Sequence, residues 1–462
     1  MEKMKVIVVG CTHAGTAAVQ EIITHHPEAE VVVYERRPDI AFLSCGIALY
    51  LNGTVTQLDE LFTTNVKTLE AFGANVKFEL EHDVLDIDAK THEISVQDLG
   101  SGRITTDKYD KLIYTAGSFP VVPPIQGVSL PGVLMCKDYN DAQRIYETAK
   151  TAHSIMIVGG GYIGVELAEA YSHTGHEVSL INGVRPLLSH YVDASLANLV
   201  RLDLESHGVQ MLLDEVAMKF DNDGERVFIQ TSKGERYADL AVVCVGFQPQ
   251  TELLRDQVAM NADGSIHVDD YMQTSDPDIF AAGDAVAVHF NPTGKDAYAP
   301  LATNAVRQGK LVGRNLFGKR VKYMGTQATS ALTLYDKTLA ATGLTLVRAK
   351  TSGFNAAAVT MTVNYRPTFM PSTVPITMSL VYDKANRQIL GAQLYSQYDI
   401  AQSANLISVM IQNRNTIDDL AYVDMLFNPH YDYPWNYLNL LGQEAVEQAD
   451  SQTQEDDHES LE

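Results

Sequence analysis

The chain has 462 residues, with 34 Lys plus Arg against 58 Asp plus Glu, a formal net charge of −24. Such acidity repels phosphates and argues against nucleic acid or an anionic membrane as partner. Apolar content of 45% with 20% charged is that of a soluble globular protein, and the length predicts roughly two to four domains.

The N-terminal stretch "MEKMKVIVVGCTHAG" breaks its apolar run with Gly and His and shows no small-residue cleavage site, so it does not read as a signal peptide. No run approaches the ~18 apolar residues of a membrane span. Residues 5–9, "KVIVV", form a short continuous apolar run, as a buried parallel strand does. A glycine turn and a helix-periodic segment follow, then "AEVVVYE", a second strand ending in Glu35. Strand, glycine turn, helix, strand and acid make a dinucleotide-binding unit. Gly10 and Gly15 hold the first and third glycine positions, and Thr12 stands at the second, where close approach is less free. Glu35 is placed to accept hydrogen bonds from ribose hydroxyls.

The same order recurs in "SIMIVGGGYIGVELAEAYSHTGHEVSLIN" (154–182), about one domain length on. Gly159, Gly161 and Gly164 fill all three positions: tight turn, approach of backbone to pyrophosphate, and helix–strand packing. The helix N-terminus then faces the phosphates. Two such units point to a protein that holds two dinucleotides. Asn182 stands where an acid normally binds the ribose 2′-hydroxyl, and Arg185 follows three residues later. Two readings are open. The site accepts NADPH as well as NADH through Arg185, or Asn182 binds ribose and Arg185 is merely solvated.

From about 327 alternating strands give way to helical patterns, which suggests an α+β domain. The acidic tail 448–462 has few apolar residues and predicts disorder.

Four cysteines, Cys11, Cys45, Cys136 and Cys244, lack metal or disulfide spacing, the pattern of a reducing compartment. The sequence therefore predicts a cytoplasmic protein with no metal site. Cys11, Cys136 and Cys244 lie in apolar surroundings and read as buried hydrophobes. Cys45, in "AFLSCGIALYL" (41–51), differs, because it opens a predicted helix whose N-terminus would lower its thiol pKa. A thiolate there attacks the O–O bond of a peroxide and becomes sulfenic acid, and no neighbouring cysteine is present to form a disulfide. His13, a lone histidine in the first glycine turn, reads by itself as a backbone-satisfying residue; the family resemblance that the following motifs carry implies that it partners Cys45, hydrogen-bonding the sulfenate and giving a proton to the departing hydroxide.

The motifs "VVGCTHAGT" (8–16), "FLSCGIALYL" (42–51), "YDKLIYTAGS" (109–118), "VGGGYIGVELAEAY" (158–171), "DIFAAGDAVAVHFNP" (278–292) and "PLATNAVRQG" (300–309) carry a resemblance. So do "VCVGFQPQTELL" (243–254) and "DDLAYVDMLFNPHYDYPWNYLN" (418–439). The chain resembles the flavoprotein disulfide reductase superfamily, in particular its single-cysteine branch of NADH oxidases and NADH peroxidases from lactic acid bacteria. The resemblance implies an α/β chain with two Rossmann-like domains and an α+β C-terminal dimerisation domain. The implied FAD domain is 1–120 with 246–325, the NAD(P)H domain 121–245 and the dimerisation domain 326–447. FAD would occupy the first unit and NADH, or NADPH, the second. Asp284 would hold the ribityl–phosphate side of the flavin, and Leu301, Ala302 and Thr303 would bring backbone to its ring edge. Tyr162 would cover the flavin face and swing away for nicotinamide. Ala14, Ser44, Ala116, Gly117, Ile163, Glu166 and Gly246 join the implied cofactor-binding set.

The two-cysteine reductases of the superfamily carry a C-x₄-C pair and a C-terminal His-Pro element. Here Tyr50 replaces the second cysteine and Asn428-Pro429-His430 replaces the His-Pro, which argues against dithiol substrates. His430 is expected to line the dimer interface. The implied activity is reduction of O₂ to water by NADH, two NADH per O₂, in a homodimer. The alternatives are an NADH peroxidase reducing H₂O₂, a coenzyme A disulfide reductase using Tyr422, Tyr431, Tyr433 and Tyr437, and an electron-transfer flavoprotein.

Overall fold

The computed structural model describes residues 4–73 and 75–459, with side chains through Ser451. Val6, Ile7 and Val8 are each 0% exposed, because the strand Lys5–Val9 has a neighbour on both edges and shares one core with the helix His13–His25 and the antiparallel strands His82–Asp88 and Glu93–Asp98. Its parallel sheet runs Ile279–Ala281, Lys111–Tyr114, Lys5–Val9, Glu30–Glu35, Val76–Leu80. A second parallel sheet repeats the arrangement as Gln210–Leu213, Glu177–Asn182, Ser154–Val158, Leu240–Val243, Val133–Met135. In each, the strand order turns back beside the strand that feeds the glycine turn. That is the switch point at which open α/β sheets bind ligands.

Residues far apart in sequence complete the first unit. Ile279–Ala281 pairs in parallel with Lys111–Tyr114, and the helix Ala302–Asn315 packs on the helix His13–His25. The two helices meet through small residues. A Cβ on Gly309 would stand 2.2 Å from the Ala14 carbonyl oxygen, so only glycine allows this approach.

The C-terminal part is an antiparallel sheet in the order Ser330–Leu334, Lys337–Gly343, Ile389–Ser396, Pro375–Asp383, Ala356–Asn364, with helices against one face. It is tied to the second unit by side chains on both sides. Lys337 Nζ donates to Asp203 Oδ1 at 2.7 Å, and Gln393 Nε2 donates to Asp193 Oδ2 at 3.0 Å.

The expected disorder of 448–462 is corrected over most of its length: the last helix runs Tyr437–Glu459. Ala445 and Ala449 are buried on its inner face, and Arg387 Nη1 donates to Asp450 Oδ1 at 2.7 Å, so the packed helix carries its acidic continuation with it. Residues 460–462 lie outside the described residues. Among the described residues no helix is long and apolar enough to cross a membrane.

Gly309→Ala should separate the two packed helices and lower stability by about 1–3 kcal/mol, the usual cost of overpacking. Chemical denaturation of the purified protein checks this, and an unchanged midpoint would contradict the close packing.

Candidate active site

Gly10 has φ +88°, and a Cβ there would meet the Thr115 carbonyl oxygen at 2.7 Å, so the turn admits only glycine. Thr12, at the second glycine position, caps the helix His13–His25 without a side-chain cap bond. Glu35, 4% exposed, accepts from the Cys11 amide (2.7 Å) through Oε2 and from the Arg37 amide (3.0 Å) through Oε1. Those two amides orient the carboxylate at the mouth of the turn.

A cavity of about 790 Å³ opens from this turn. It gathers Gly10, Thr12, His13, Ala14, Glu35, Ser44, Cys45, Ala116, Gly117, Asp284, Leu301 and Ala302 with Tyr162, Ile163 and Glu166 of the second unit. Residues from seven separate stretches thus meet in one place. A glycine turn, an oriented acid and a long cleft running to the second unit fit FAD. Gly15 does not line the cavity; its role is helix packing, since a Cβ there would stand 2.1 Å from the Gly10 carbonyl oxygen. Thr303 lies in the first turn of the helix Ala302–Asn315.

Cys45 is exposed to this cavity, whereas Cys11 and Cys136 at its edge are buried and Cys244 is half-buried. Burial pushes the Cys11 and Cys244 thiols up to about 12. The expected lowering of the Cys45 pKa is corrected. Cys45 sits in a single 3₁₀ turn, Ser44–Gly46, and the helix that follows is the five-residue piece Ile47–Leu51. So short an array of peptide dipoles does not offset desolvation. Burial and then the Glu166 carboxylate push the thiol above its usual value, against its own backbone N–H and Lys137.

Burial drives the His13 imidazole below its usual pKa, opposed by Asp284 and assisted by Lys137, so it is neutral at neutral pH and keeps one N–H to donate. Burial, reinforced by Glu169, pushes Glu166 up to about 7. Tyr162 begins the helix Tyr162–Ser172; its hydroxyl bonds Ser330 Oγ at 2.8 Å, and its ring centroid lies 4.2 Å from that of Tyr191.

Sequence reasoning missed a polar group at the centre of the cleft. Ser118 Oγ donates to Asp284 Oδ2 at 2.6 Å, and Lys137 Nζ donates to Ser118 Oγ at 3.0 Å and Asp284 Oδ2 at 3.3 Å. Lys137 also lies 4.2 Å over the Phe247 ring. Its signal was available: it follows the end of the strand Val133–Met135, and ligands collect at strand C-termini.

In the second unit a Cβ on Gly164 would stand 1.9 Å from the Gly159 carbonyl oxygen, while Gly161 faces open space, as approach of a pyrophosphate requires. Gly246 lies beyond the strand Leu240–Val243 with φ +115°. Asn182 and Arg185 both have partners here. Asn182 Oδ1 accepts from the Gly160 amide (3.1 Å) and Nδ2 donates to the Val184 carbonyl (2.5 Å). Arg185, its side chain 64% exposed, has its Nε 2.5 Å from Asp214 Oδ2. Among the described residues no cluster of three or more His, Cys, Asp or Glu could hold a metal ion.

Glu166 carries a testable pH signature. Its folded pKa of about 7 exceeds the usual 4.5, so its contribution to stability is full below that usual value and lost as pH rises through about 7. Glu166→Gln should therefore gain denaturation midpoint relative to the parent between about pH 5 and about pH 8. Parallel pH dependences in the two proteins would contradict the burial of this carboxyl.

The comparisons with known proteins follow this geometry. A family model for pyridine nucleotide-disulphide oxidoreductases matches residues 4–309, and one for their dimerisation domain matches 329–436. An NADH oxidase of Enterococcus faecalis is 48% identical over 446 residues, covering 96% of this chain and 100% of that protein. The water-forming NADH oxidase of Lactobacillus brevis, solved with NADH bound, matches with a TM-score of 0.96 at 51% identity, covering 98% of this chain and 100% of that one. An engineered water-forming NADPH oxidase made from the same enzyme, solved with NADPH, matches at 0.96 and 51%, covering 97% and 100%. Two glycine turns, each between a parallel strand and a helix, and an antiparallel C-terminal sheet agree with both family models: the chain belongs to the pyridine nucleotide-disulphide oxidoreductase family.

Proposed function

We propose that the protein is an FAD-dependent NADH oxidase that reduces O₂ to water with Cys45 as its redox sulfur. The observation that carries this reading is that Cys45 is the exposed cysteine of a cleft lined by the first glycine turn and by the start of the helix Tyr162–Ser172, with no second cysteine in its turn Ser44–Gly46. The full-length similarity to NADH oxidases supports it. FAD, when bound, takes hydride from NADH and passes electrons to oxygen.

The residues of the chain do the rest. The amides of the first glycine turn and the N-terminus of the helix His13–His25 bind pyrophosphate, and Glu35 accepts from ribose. Gly159, Gly161 and Gly164 do the same for NADH. Tyr162, propped by Ser330 and Tyr191, shields the cleft from water until nicotinamide displaces it. Asp284, held by Ser118 and Lys137, accepts from a hydroxyl of the flavin side chain. The Cys45 thiolate attacks peroxide, forming an S–O bond as the O–O bond breaks. The neutral His13 keeps its N–H as a hydrogen bond to the sulfenate, and the proton given up when the Cys45 thiol ionises goes to the departing hydroxide, which leaves as water. With no resolving cysteine, the sulfenic acid waits for electrons from a second NADH.

The C-terminal domain pairs two copies of the chain, a reading supported by exposed Tyr422, Leu426, Tyr431 and Trp435. Reduced, unpaired cysteines support a cytoplasmic location.

Cys45→Ser should still consume O₂ with NADH but release H₂O₂ close to one per O₂, where the parent releases almost none; a peroxide assay reads this directly. Water formation undiminished in the variant would refute the sulfenate cycle. A parent that ignores O₂ but oxidises NADH once H₂O₂ is added is a peroxidase instead.

A further inference from the structure

We propose that Asp214 sets the choice between NADH and NADPH by holding Arg185 as an internal counter-ion, so that a 2′-phosphate finds the arginine neutralised and a carboxylate beside it. The inference rests on the second glycine turn taking the nicotinamide dinucleotide.

The adenosine ribose of a dinucleotide lies off the C-terminal end of the second strand of its unit. Here that strand is Glu177–Asn182, and its neighbour Gln210–Leu213 ends level with it, Asn182 facing Leu213. Asn182 is oriented by the Gly160 amide and the Val184 carbonyl, and it brings no charge to the ribose. The charges left at this corner come from the two adjoining loops. Arg185 Nε and Asp214 Oδ2 lie 2.5 Å apart, with side chains 64% and 47% exposed.

Nearby groups are committed elsewhere. Glu215 turns inward, taking Arg236 Nη2 on Oε2 at 3.0 Å and the Thr231 hydroxyl on Oε1 at 2.5 Å. Lys233 Nζ donates to the Leu213 carbonyl at 2.9 Å. Asp214 itself has φ +55°, a backbone region that Asp and Asn tolerate.

The physical consequence has a definite sign. An NADH ribose carries no charge to compete for Arg185 and leaves the pair intact. A 2′-phosphate that approaches the Nη groups of Arg185 meets a guanidinium already neutralised by Asp214 and a carboxylate that repels it. Because an exposed ion pair is weak, the penalty is modest rather than absolute. The relative that was engineered to an NADPH oxidase shows that this scaffold tolerates either dinucleotide.

The test uses the holoprotein and two readouts. Asp214→Asn keeps shape and backbone tolerance but removes the charge. The ratio of kcat/KM for NADPH to that for NADH should rise about tenfold, and calorimetric affinity for 2′,5′-ADP relative to 5′-ADP should rise by about the same factor. Adding Arg185→Ala to Asp214→Asn should return both ratios to the parent values or below. Ratios within twofold of the parent in Asp214→Asn would overturn the proposal, as would a gain that survives the loss of Arg185. The two claims separate cleanly. A protein that shows the 2′,5′-ADP shift but consumes no oxygen sinks the oxidase reading and leaves the selectivity standing. An active oxidase with no shift does the reverse.

Discussion

Gly15 and Gly164 lie where a Cβ would stand 2.1 and 1.9 Å from the carbonyl oxygens of Gly10 and Gly159. At both places a helix starts almost in contact with the strand that precedes it. Any side chain would lift the helix and swing its N-terminal amides away from the ligand. The cleft depends on this closeness twice over: once to hold the first glycine turn against its sheet, and once to bring Tyr162 and Glu166 into the same cleft as Cys45. The helix Ala302–Asn315 extends the same logic, reaching Ala14 through Gly309 and so delivering Leu301 and Ala302 to the cleft.

Around that frame the site is mostly a matter of desolvation. Cys45, His13 and Glu166 each shift toward the uncharged form, with burial as the first cause in every case. Lys137 works against the shift at Cys45 and Asp284 against that at His13, and Ser118 bridges the two charges. The Cys45 thiol is held toward its uncharged form, and the helix Ile47–Leu51 is too short for its dipole to offset that.

Most of the frame was legible in the sequence because its signals are local. A continuous apolar run, three spaced glycines and a terminal acid are all read within thirty residues, and the structure forms each of them. Glu35 is where the pattern put it. The features that escaped depend on partners distant along the chain. Lys137 acquires meaning only beside Asp284, and Arg185 only beside Asp214. Asn182 was read by its position at a strand end, yet the adjacent turn offers it an amide, and the side chain takes the nearer bond. The acidic tail reads as disordered from composition, but Ala449 and Asp450 inherit a packed helix that composition does not show.

The account stands on oxygen being reduced by four electrons within one cleft, with Cys45 taking the peroxide step. The most direct measurement is an oxygen electrode charged with excess dissolved O₂ and limiting NADH, with catalase added once NADH is exhausted. The account predicts two NADH consumed per O₂ and no oxygen returned by catalase. One NADH per O₂, with half of the consumed oxygen returned on adding catalase, would contradict it.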